Sequence, residues 1–171
     1  MTGHFTAAIL LMTIAGPSVA QEAPFGFPMH DTAVAVPELS FSAADGQSQG
    51  LAEYRGTYLL LNIWATWCAP CRAELPTLDA LQRTLGGPDF AVVALSTDTG
   101  RRSAVERLFT EVSIDTLAPL IDDTGAAMRD LGILALPTTL LIDKDGQEIG
   151  RKVGPAEWDS PAAIAFFQGL F

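Results

Sequence analysis

The chain's two cysteines lie close together in the stretch WATWCAPCRAELP, residues 64–76. Only Ala69 and Pro70 separate Cys68 from Cys71. A pair at this spacing can form a structural disulfide, supply half of a metal site, or exchange electrons with other thiols and disulfides. Each of these roles asks for a different set of neighbouring residues.

The composition of the chain favours electron exchange over the other two roles. A disulfide that closes so short a loop restricts the unfolded chain little, so it would add little stability. A structural zinc ion takes four ligands, whereas residues 21–171 offer these two sulfurs and one histidine, His30. The sequence therefore predicts a redox pair and indicates neither a resident metal nor a cofactor.

Apolar patterns on either side place the pair between a strand and a helix. The run TYLLLNIWA, residues 57–65, is continuous and apolar, which is typical of a buried strand. Leucines recur at spacings of three and four between Cys71 and Leu85, which predicts an amphipathic helix. Cys68 is then expected at the helix N-terminus, where unpaired N–H groups and the helix dipole favour a thiolate. Cys68 should therefore attack a partner disulfide, and the less exposed Cys71 should resolve the mixed disulfide.

The rest of the chain predicts an α/β domain around one mixed sheet. Residues 38–57 indicate a short hairpin with its turn at Asp45-Gly46, and Asp145-Gly146 joins the last two strands. Thr124 and Ser160 are the expected N-caps of the last two helices. The other predicted elements are strands or extended segments at 90–96, 117–122, 138–143 and 147–154, and helices at 103–112, 124–132 and 160–168.

The N-terminus has the features of a secretory signal. Residues 5–15 are almost all apolar, and Ser18-Val19-Ala20 supplies small residues for cleavage after Ala20. The predicted organisation is a signal peptide at 1–20, a flexible leader at 21–37 and one domain at 38–171. The alternative is an uncleaved membrane anchor, although the apolar run is shorter than the roughly 20 residues that span a bilayer. Both predictions place the domain outside the cytoplasm, where disulfides persist.

Two motifs together resemble the thioredoxin superfamily. They are LNIWATWCAPCRAELP at 61–76 and ALPTTLLID at 135–143, and the resemblance extends over about 38–170. Within the superfamily, the chain is most similar to the TlpA/ResA branch of extracytoplasmic thiol-disulfide oxidoreductases. The resemblance implies a thioredoxin fold, with a central mixed β-sheet flanked by helices, an N-terminal β-hairpin extension and a central αβ insertion at about 101–122.

The resemblance also implies roles for residues around the cysteines. Trp67 would shape the rim of the site, and Ala69 and Pro70 would tune the reduction potential. Pro137 matches the family's cis-proline, and the backbone of Leu136 would pair with an incoming substrate strand. The sequence alone favours an ordinary strand start at Pro137, because most X-Pro bonds are trans.

Two polar residues bear on how Cys71 loses its proton. Plain thioredoxins carry a buried aspartate six residues before the first cysteine, and this chain has Asn62 there, whose amide cannot accept a proton. Glu74 follows Cys71 by three residues and matches the active-site glutamate of the ResA-like branch, so it is the expected proton acceptor. The alternative for Glu74 is a surface glutamate in a first helical turn. Trp158 is predicted to be a packing residue.

The resulting prediction is a periplasmic disulfide reductase that works through Cys68 and Cys71. It would be a monomer that acts on disulfide-bearing proteins, in cytochrome c maturation or oxidase copper-site assembly, and a membrane thiol-electron carrier would recharge it. The net charge of −10 and the scattered basic residues exclude a nucleic-acid binder. The alternatives are a disulfide-forming oxidant, a thiol-dependent peroxidase, for which Thr66 fits poorly, and a non-enzymatic redox or copper-binding module.

Overall fold

The structure is a computed structural model that describes residues 25–43 and 46–171. The predicted signal peptide at 1–20 and Asp45 of the predicted hairpin turn lie outside these ranges. No helix within these ranges is both long enough and apolar enough to cross a membrane.

The described chain contains eight strands and four α-helices. The strands are β1 (Met29–Ala35), β2 (Ser40–Ser42), β3 (Ser48–Gly50), β4 (Tyr58–Trp64), β5 (Phe90–Ser96), β6 (Leu120–Ile121), β7 (Thr138–Ile142) and β8 (Gln147–Val153). The helices are α1 (Ala69–Leu85), α2 (Arg102–Glu111), α3 (Ala127–Asp130) and α4 (Pro161–Gln168). A 3-10 helix, Leu51–Tyr54, follows β3.

The strands form one mixed sheet in the order β1-β8-β7-β4-β5-β6-β2-β3. The central strand β4 runs parallel to β5 and antiparallel to β7. Its side chains alternate between two cores: Leu60 and Trp64 pack in the core that contains Cys71, whereas Leu59 and Leu61 pack in the core on the other face. The sheet is therefore covered on both faces, and the predicted α/β fold with a mixed sheet is confirmed.

Helix α1 starts where the sequence predicts that the redox pair lies. It begins at Ala69, two residues before the predicted start, and Cys68 is its N-cap. Leu75, Leu78 and Leu81 are fully buried, so the leucine stripe faces the core. Gly86 follows the last helical residue, as predicted.

The predicted flexible leader is wrong for the part of it that the structure describes. Residues 29–35 form β1, which pairs antiparallel with β8 at the edge of the sheet. Phe27 is buried in the core, and Phe25 packs against that core. All seven residues of β1 are exposed, so this edge strand carries no apolar alternation by which it could be recognised.

The predicted hairpin extension and central insertion are both present. Strands β2 and β3 pair antiparallel, and Ser42 of β2 pairs with Ile121 of β6 within the insertion. The prediction for α3 is wrong in its length and its cap. The helix covers only Ala127–Asp130, and its N-cap is Ala126. Thr124 lies in the turn before the helix, where the buried Asp122 side chain accepts the Thr124 hydroxyl at 2.7 Å and the Ala127 N–H at 2.7 Å.

Candidate active site

The two cysteines are joined by a disulfide, and they differ in exposure. Their Cα atoms lie 5.3 Å apart. Cys68 is 6% exposed and Cys71 is 0% exposed, whereas the neighbouring Trp67 is 69% exposed. A partner protein can therefore approach only the Cys68 sulfur, next to an exposed aromatic ring.

The N-terminus of α1 is arranged to stabilise negative charge on the sulfur of Cys68. As the N-cap, Cys68 accepts the backbone N–H of Cys71 at its Sγ atom, over a distance of 3.3 Å. The unpaired N–H groups and the dipole of a helix N-terminus favour a thiolate over a thiol. This geometry makes Cys68 the better nucleophile of the pair.

Glu74 is buried beside the same helix and is fully hydrogen-bonded. It is 3% exposed, so it is not the surface glutamate that was the alternative. Its Oε1 atom accepts from Asn62 Nδ2 at 2.8 Å. Its Oε2 atom accepts from the indole Nε1 of Trp158 at 3.0 Å and from the backbone N–H of Ala156 at 3.1 Å. Sequence reasoning found Glu74 and Asn62 and missed the other two partners.

Burial raises the pKa of Glu74 above that of an exposed glutamate. The hydrogen bonds from Trp158, Asn62 and Ala156 and the positive charge of Lys152 act in the opposite direction, and burial outweighs them. The carboxyl group therefore accepts a proton more readily than a surface glutamate does. A raised carboxyl pKa is typical of groups that take up and release protons during catalysis.

The register of three strands places the neighbours of Glu74 on one face of the sheet. Asn62 of β4 pairs with Thr139 of β7, and Thr139 pairs with Lys152 of β8, so the three residues form one row across three strands. Asn62 Nδ2 also donates to Thr139 Oγ1 at 2.9 Å. Paired residues project from the same face of a sheet, so this row brings an amide and a lysine to the side that Glu74 occupies.

Pro137 lies at the edge of the same region, and the Leu136-Pro137 peptide bond is cis. Strand β7 begins at the next residue, Thr138, which pairs with Ile63 of β4. Pro137 therefore lies opposite the C-terminal end of β4. The loop that carries Cys68 begins at this end of the strand. The cis bond is the one that the resemblance implies, so the ordinary strand start that the sequence alone favours at Pro137 is wrong.

A further buried carboxylate, which sequence reasoning missed, fixes the loop before Cys68. Asp98 is 4% exposed, and it accepts the Thr66 N–H at 2.6 Å and the Thr66 hydroxyl at 2.8 Å. It also accepts the Ser96 hydroxyl at 2.9 Å. No local pattern signals this contact, because Asp98 lies 32 residues after Thr66.

A surface cleft of about 470 Å³ opens beside Glu74. Pro70, Ala73, Glu74 and Thr77 of α1 line one wall, and residues 155–157 line the other. Within residues 25–43 and 46–171, no three His, Cys, Asp or Glu side chains cluster as metal ligands would. His30 instead contacts Glu148 at 2.8 Å, across β1 and β8.

Comparison with known proteins agrees with this geometry. The Redoxin family matches residues 31–165 of the chain. The thioredoxin-like protein YneN of Bacillus subtilis is 32% identical over 111 residues, which are 64% of each chain. The thiol-disulfide oxidoreductase ResA of Geobacillus kaustophilus is 31% identical over 144 residues, which are 82% of this chain and 80% of ResA.

A solved structure has the same fold. It is that of a DsbE-like thiol:disulfide interchange protein from Chlorobium tepidum, with a TM-score of 0.67 and 27% identity. The match covers 82% of this chain and 95% of that chain. The chain spans slightly less than two thirds of YneN and most of ResA and of the Chlorobium protein. The chain therefore belongs to the Redoxin family and, within the thioredoxin superfamily, to the thiol-disulfide oxidoreductases of the TlpA/ResA type.

Proposed function

We propose that this protein is an extracytoplasmic disulfide reductase that passes two electrons to partner proteins through Cys68 and Cys71. The observation that carries the proposal is a disulfide with one accessible and one sealed sulfur, next to a buried carboxylate. Nucleophile, resolving thiol and proton acceptor then all lie at the start of one helix. The apolar N-terminal segment at residues 5–15 supports export from the cytoplasm.

The first step begins from the reduced protein. The Cys68 thiolate attacks one sulfur of a disulfide in the partner, the partner's S–S bond breaks, and the other partner sulfur leaves as a thiolate. A mixed disulfide now joins Cys68 to the partner. Trp67 supplies the rim of the docking surface, and the backbone of Leu136, before Pro137, pairs with the partner segment.

The second step releases the partner. Glu74 accepts the proton of the Cys71 thiol, and the Cys71 thiolate attacks the Cys68 sulfur. The mixed disulfide breaks, the Cys68–Cys71 bond forms, and the second partner sulfur leaves as a thiolate that takes up a proton. The partner has gained two electrons, and the protein is oxidised as the structure shows it.

The next cycle needs a source of electrons outside the chain, because the sequence contains no third cysteine. A membrane thiol-electron carrier fits this requirement. Apocytochrome c and oxidase copper-site assembly proteins fit as acceptors, since both present cysteines that must be reduced. Equilibration against a thiol buffer tests the direction: a potential near thioredoxin's, about −270 mV, supports a reductase, and one near about −120 mV reverses the assignment to an oxidant.

The Cys71→Ser variant tests the exchange mechanism. Without the resolving thiol, the mixed disulfide at Cys68 persists, so partners should appear as disulfide-linked adducts on non-reducing gels. The matched control is Cys68→Ser, which should trap none because Cys71 is sealed. Equal trapping by both variants, or by neither, would rule out this mechanism and favour a non-enzymatic module.

A further inference from the structure

Trp158 contacts the active site although it lies far from it in sequence. Its side chain is fully buried, and its indole Nε1 donates to Glu74 Oε2 at 3.0 Å. Its backbone N–H donates to the hydroxyl of Thr77 at 3.2 Å. Trp158 is therefore bound to α1 at two points one turn apart, on the same part of the helix as Cys71.

Aromatic rings from both ends of the domain hold the indole of Trp158. Phe25, which precedes β1, has its ring centroid 5.7 Å from that of Trp158. Phe27 lies at 6.2 Å and Phe167 of α4 also at 6.2 Å. Because aromatic pairs at these separations attract one another, the N-terminal segment helps to fix the direction of the indole N–H.

We propose that Trp158 is a positioning residue for the resolving step: its indole N–H holds the Glu74 carboxylate in one place beside Cys71 and favours the ionised form that accepts the thiol proton. Phe25 and Phe27 keep the indole in that position. The inference rests on the proposed function, since it assigns a supporting group to the resolving step described there.

The other groups around Glu74 make Trp158 the informative one to change. Asn62 holds the other carboxylate oxygen, and the Ala156 donor is a backbone group that side-chain substitution leaves in place. Among charged and titratable groups, Lys152 acts on Glu74 from β8, Glu157 lines the same cleft, and Cys71 lies one turn earlier on α1. None of these groups changes when Trp158 becomes phenylalanine.

Loss of the indole N–H has a direction that can be predicted. A hydrogen bond to an ionised carboxylate stabilises the charged form and so lowers the pKa of the group. When the bond from Trp158 is removed, burial raises the pKa of Glu74 further. The proton then stays on Glu74 up to a higher pH. The resolving step should slow on the acid side of its pH profile and keep its rate on the alkaline side, where the carboxylate is ionised in both proteins.

The experiment follows the reduced full chain as it reacts with excess dithiobis-nitrobenzoate. Cys68 releases one thionitrobenzoate in a first phase, and closure by Cys71 releases a second in a phase independent of reagent concentration. Rates are measured across the pH range for the wild-type protein, Trp158→Phe and Trp64→Phe. Trp64 is the matched control because it is also fully buried, and its Nε1 has no hydrogen-bond partner among the described residues.

The expected result is a second phase about tenfold slower for Trp158→Phe at the acid end, from the loss of one charge-assisted hydrogen bond. In Trp158→Phe, the acid limb of the second-phase rate should move to higher pH, whereas the first-phase rate should equal that of the wild type. In Trp64→Phe, both rates should equal those of the wild type. An unshifted limb, or an equal loss at every pH, overturns the inference and leaves the proposed function intact. Absence of a second phase in the wild type overturns the proposed function itself.

A measurement on the unaltered protein covers the case in which Trp158→Phe does not fold. The indole N–H resonance of Trp158 in the reduced protein should titrate with the midpoint of the acid limb, since it reports the charge on Glu74. In Glu74→Gln it should not titrate. If the chemical shift of this resonance does not change with pH in the wild type, the inference is overturned.

Discussion

At the scale of single residues, Glu74 carries a cost to folding. Its pKa is raised by burial, so the folded protein binds this proton more tightly than the unfolded chain does. Its contribution to stability is therefore most favourable at low pH, and it becomes unfavourable as pH rises through the unfolded pKa towards the folded one. At every pH above the unfolded pKa, the folded protein is therefore less stable than it would be with an unshifted carboxyl group at this position.

We therefore predict that Glu74→Gln raises the free energy of unfolding at pH 8 and changes it little at pH 4. The same substitution should slow the resolving step by about 10²–10⁴-fold, the range that general bases contribute. Asn62 can accommodate the new amide, because its Oδ1 atom accepts no hydrogen bond from the described residues. Urea denaturation at both pH values and the two-phase thiol assay measure these effects, and an unchanged second phase would remove Glu74 from the mechanism.

The sequence identifies some site residues and not others, for a physical reason. Cys68, Cys71 and Glu74 lie within seven consecutive residues on one helix start, so their spacing alone predicts that they are neighbours. Trp158 lies 84 residues from Glu74 along the chain. Only the packing of α4 and the segment before it against α1 brings the two together, and no local pattern encodes that contact.

At the scale of elements, Asp79 connects α1 to the central insertion. It is 1% exposed, and its Oδ1 atom accepts the backbone N–H groups of Thr116 at 2.7 Å and Leu117 at 3.0 Å. Arg83 donates to its Oδ2 atom at 2.5 Å. Burial alone would raise the pKa of Asp79, but these hydrogen bonds and the Arg83 charge outweigh burial and lower it.

We expect Asp79→Asn to destabilise the protein by about 1–3 kcal/mol at pH 7, because buried N–H groups lose a charged acceptor. Asp89→Asn is the matched control, since Asp89 is half exposed and pairs with Lys144 at the surface. Urea denaturation of both variants gives the comparison. Equal effects of the two substitutions would mean that Asp79 does not hold the insertion in place.

The elements also differ in how well the sequence predicts them. Strand β4 and helix α1 are buried, so apolar runs and spacings reveal them. Strand β1 is an exposed edge strand that is held by hydrogen bonds to β8. The local sequence of β1 gives no sign of this pairing, because the strand has no buried apolar face. Helix α3 is shorter than predicted, and its N-cap is Ala126 instead of Thr124. The carboxylate of Asp122, five residues before the helix, accepts the N–H of Ala127, and the local sequence does not signal this contact.

At the scale of the whole molecule, the buried carboxylate of Glu148 also links stability to pH. Glu148 is 4% exposed, and it accepts from Arg151 at 2.7 Å through each carboxylate oxygen and contacts His30 at 2.8 Å. Burial would raise the pKa of Glu148, but these two partners outweigh it and lower the pKa. Like Asp79, Glu148 therefore stabilises the fold above its unfolded pKa, and this contribution is lost as pH falls through the folded pKa.

The wild-type protein should accordingly lose stability as pH falls below about 4, near the unfolded pKa of aspartate and glutamate. Glu148→Gln should be less stable than the wild type at pH 7, and its stability should fall less between pH 5 and pH 3. Urea denaturation at a series of pH values measures both slopes. Parallel curves for the two proteins would show that Glu148 does not contribute to acid unfolding.

Because Cys71 is fully buried, the protein has a single sulfur, that of Cys68, at which a partner can react. Under the proposed function, partners that deliver electrons and partners that remove them must occupy the same small area around Cys68, so the two kinds of partner compete and cannot be bound together. Turnover then follows ping-pong kinetics, with one partner departing before the other arrives. A surplus of either one slows the cycle by occupying the shared area, so electron throughput depends on the ratio of the two partners as well as on their affinities.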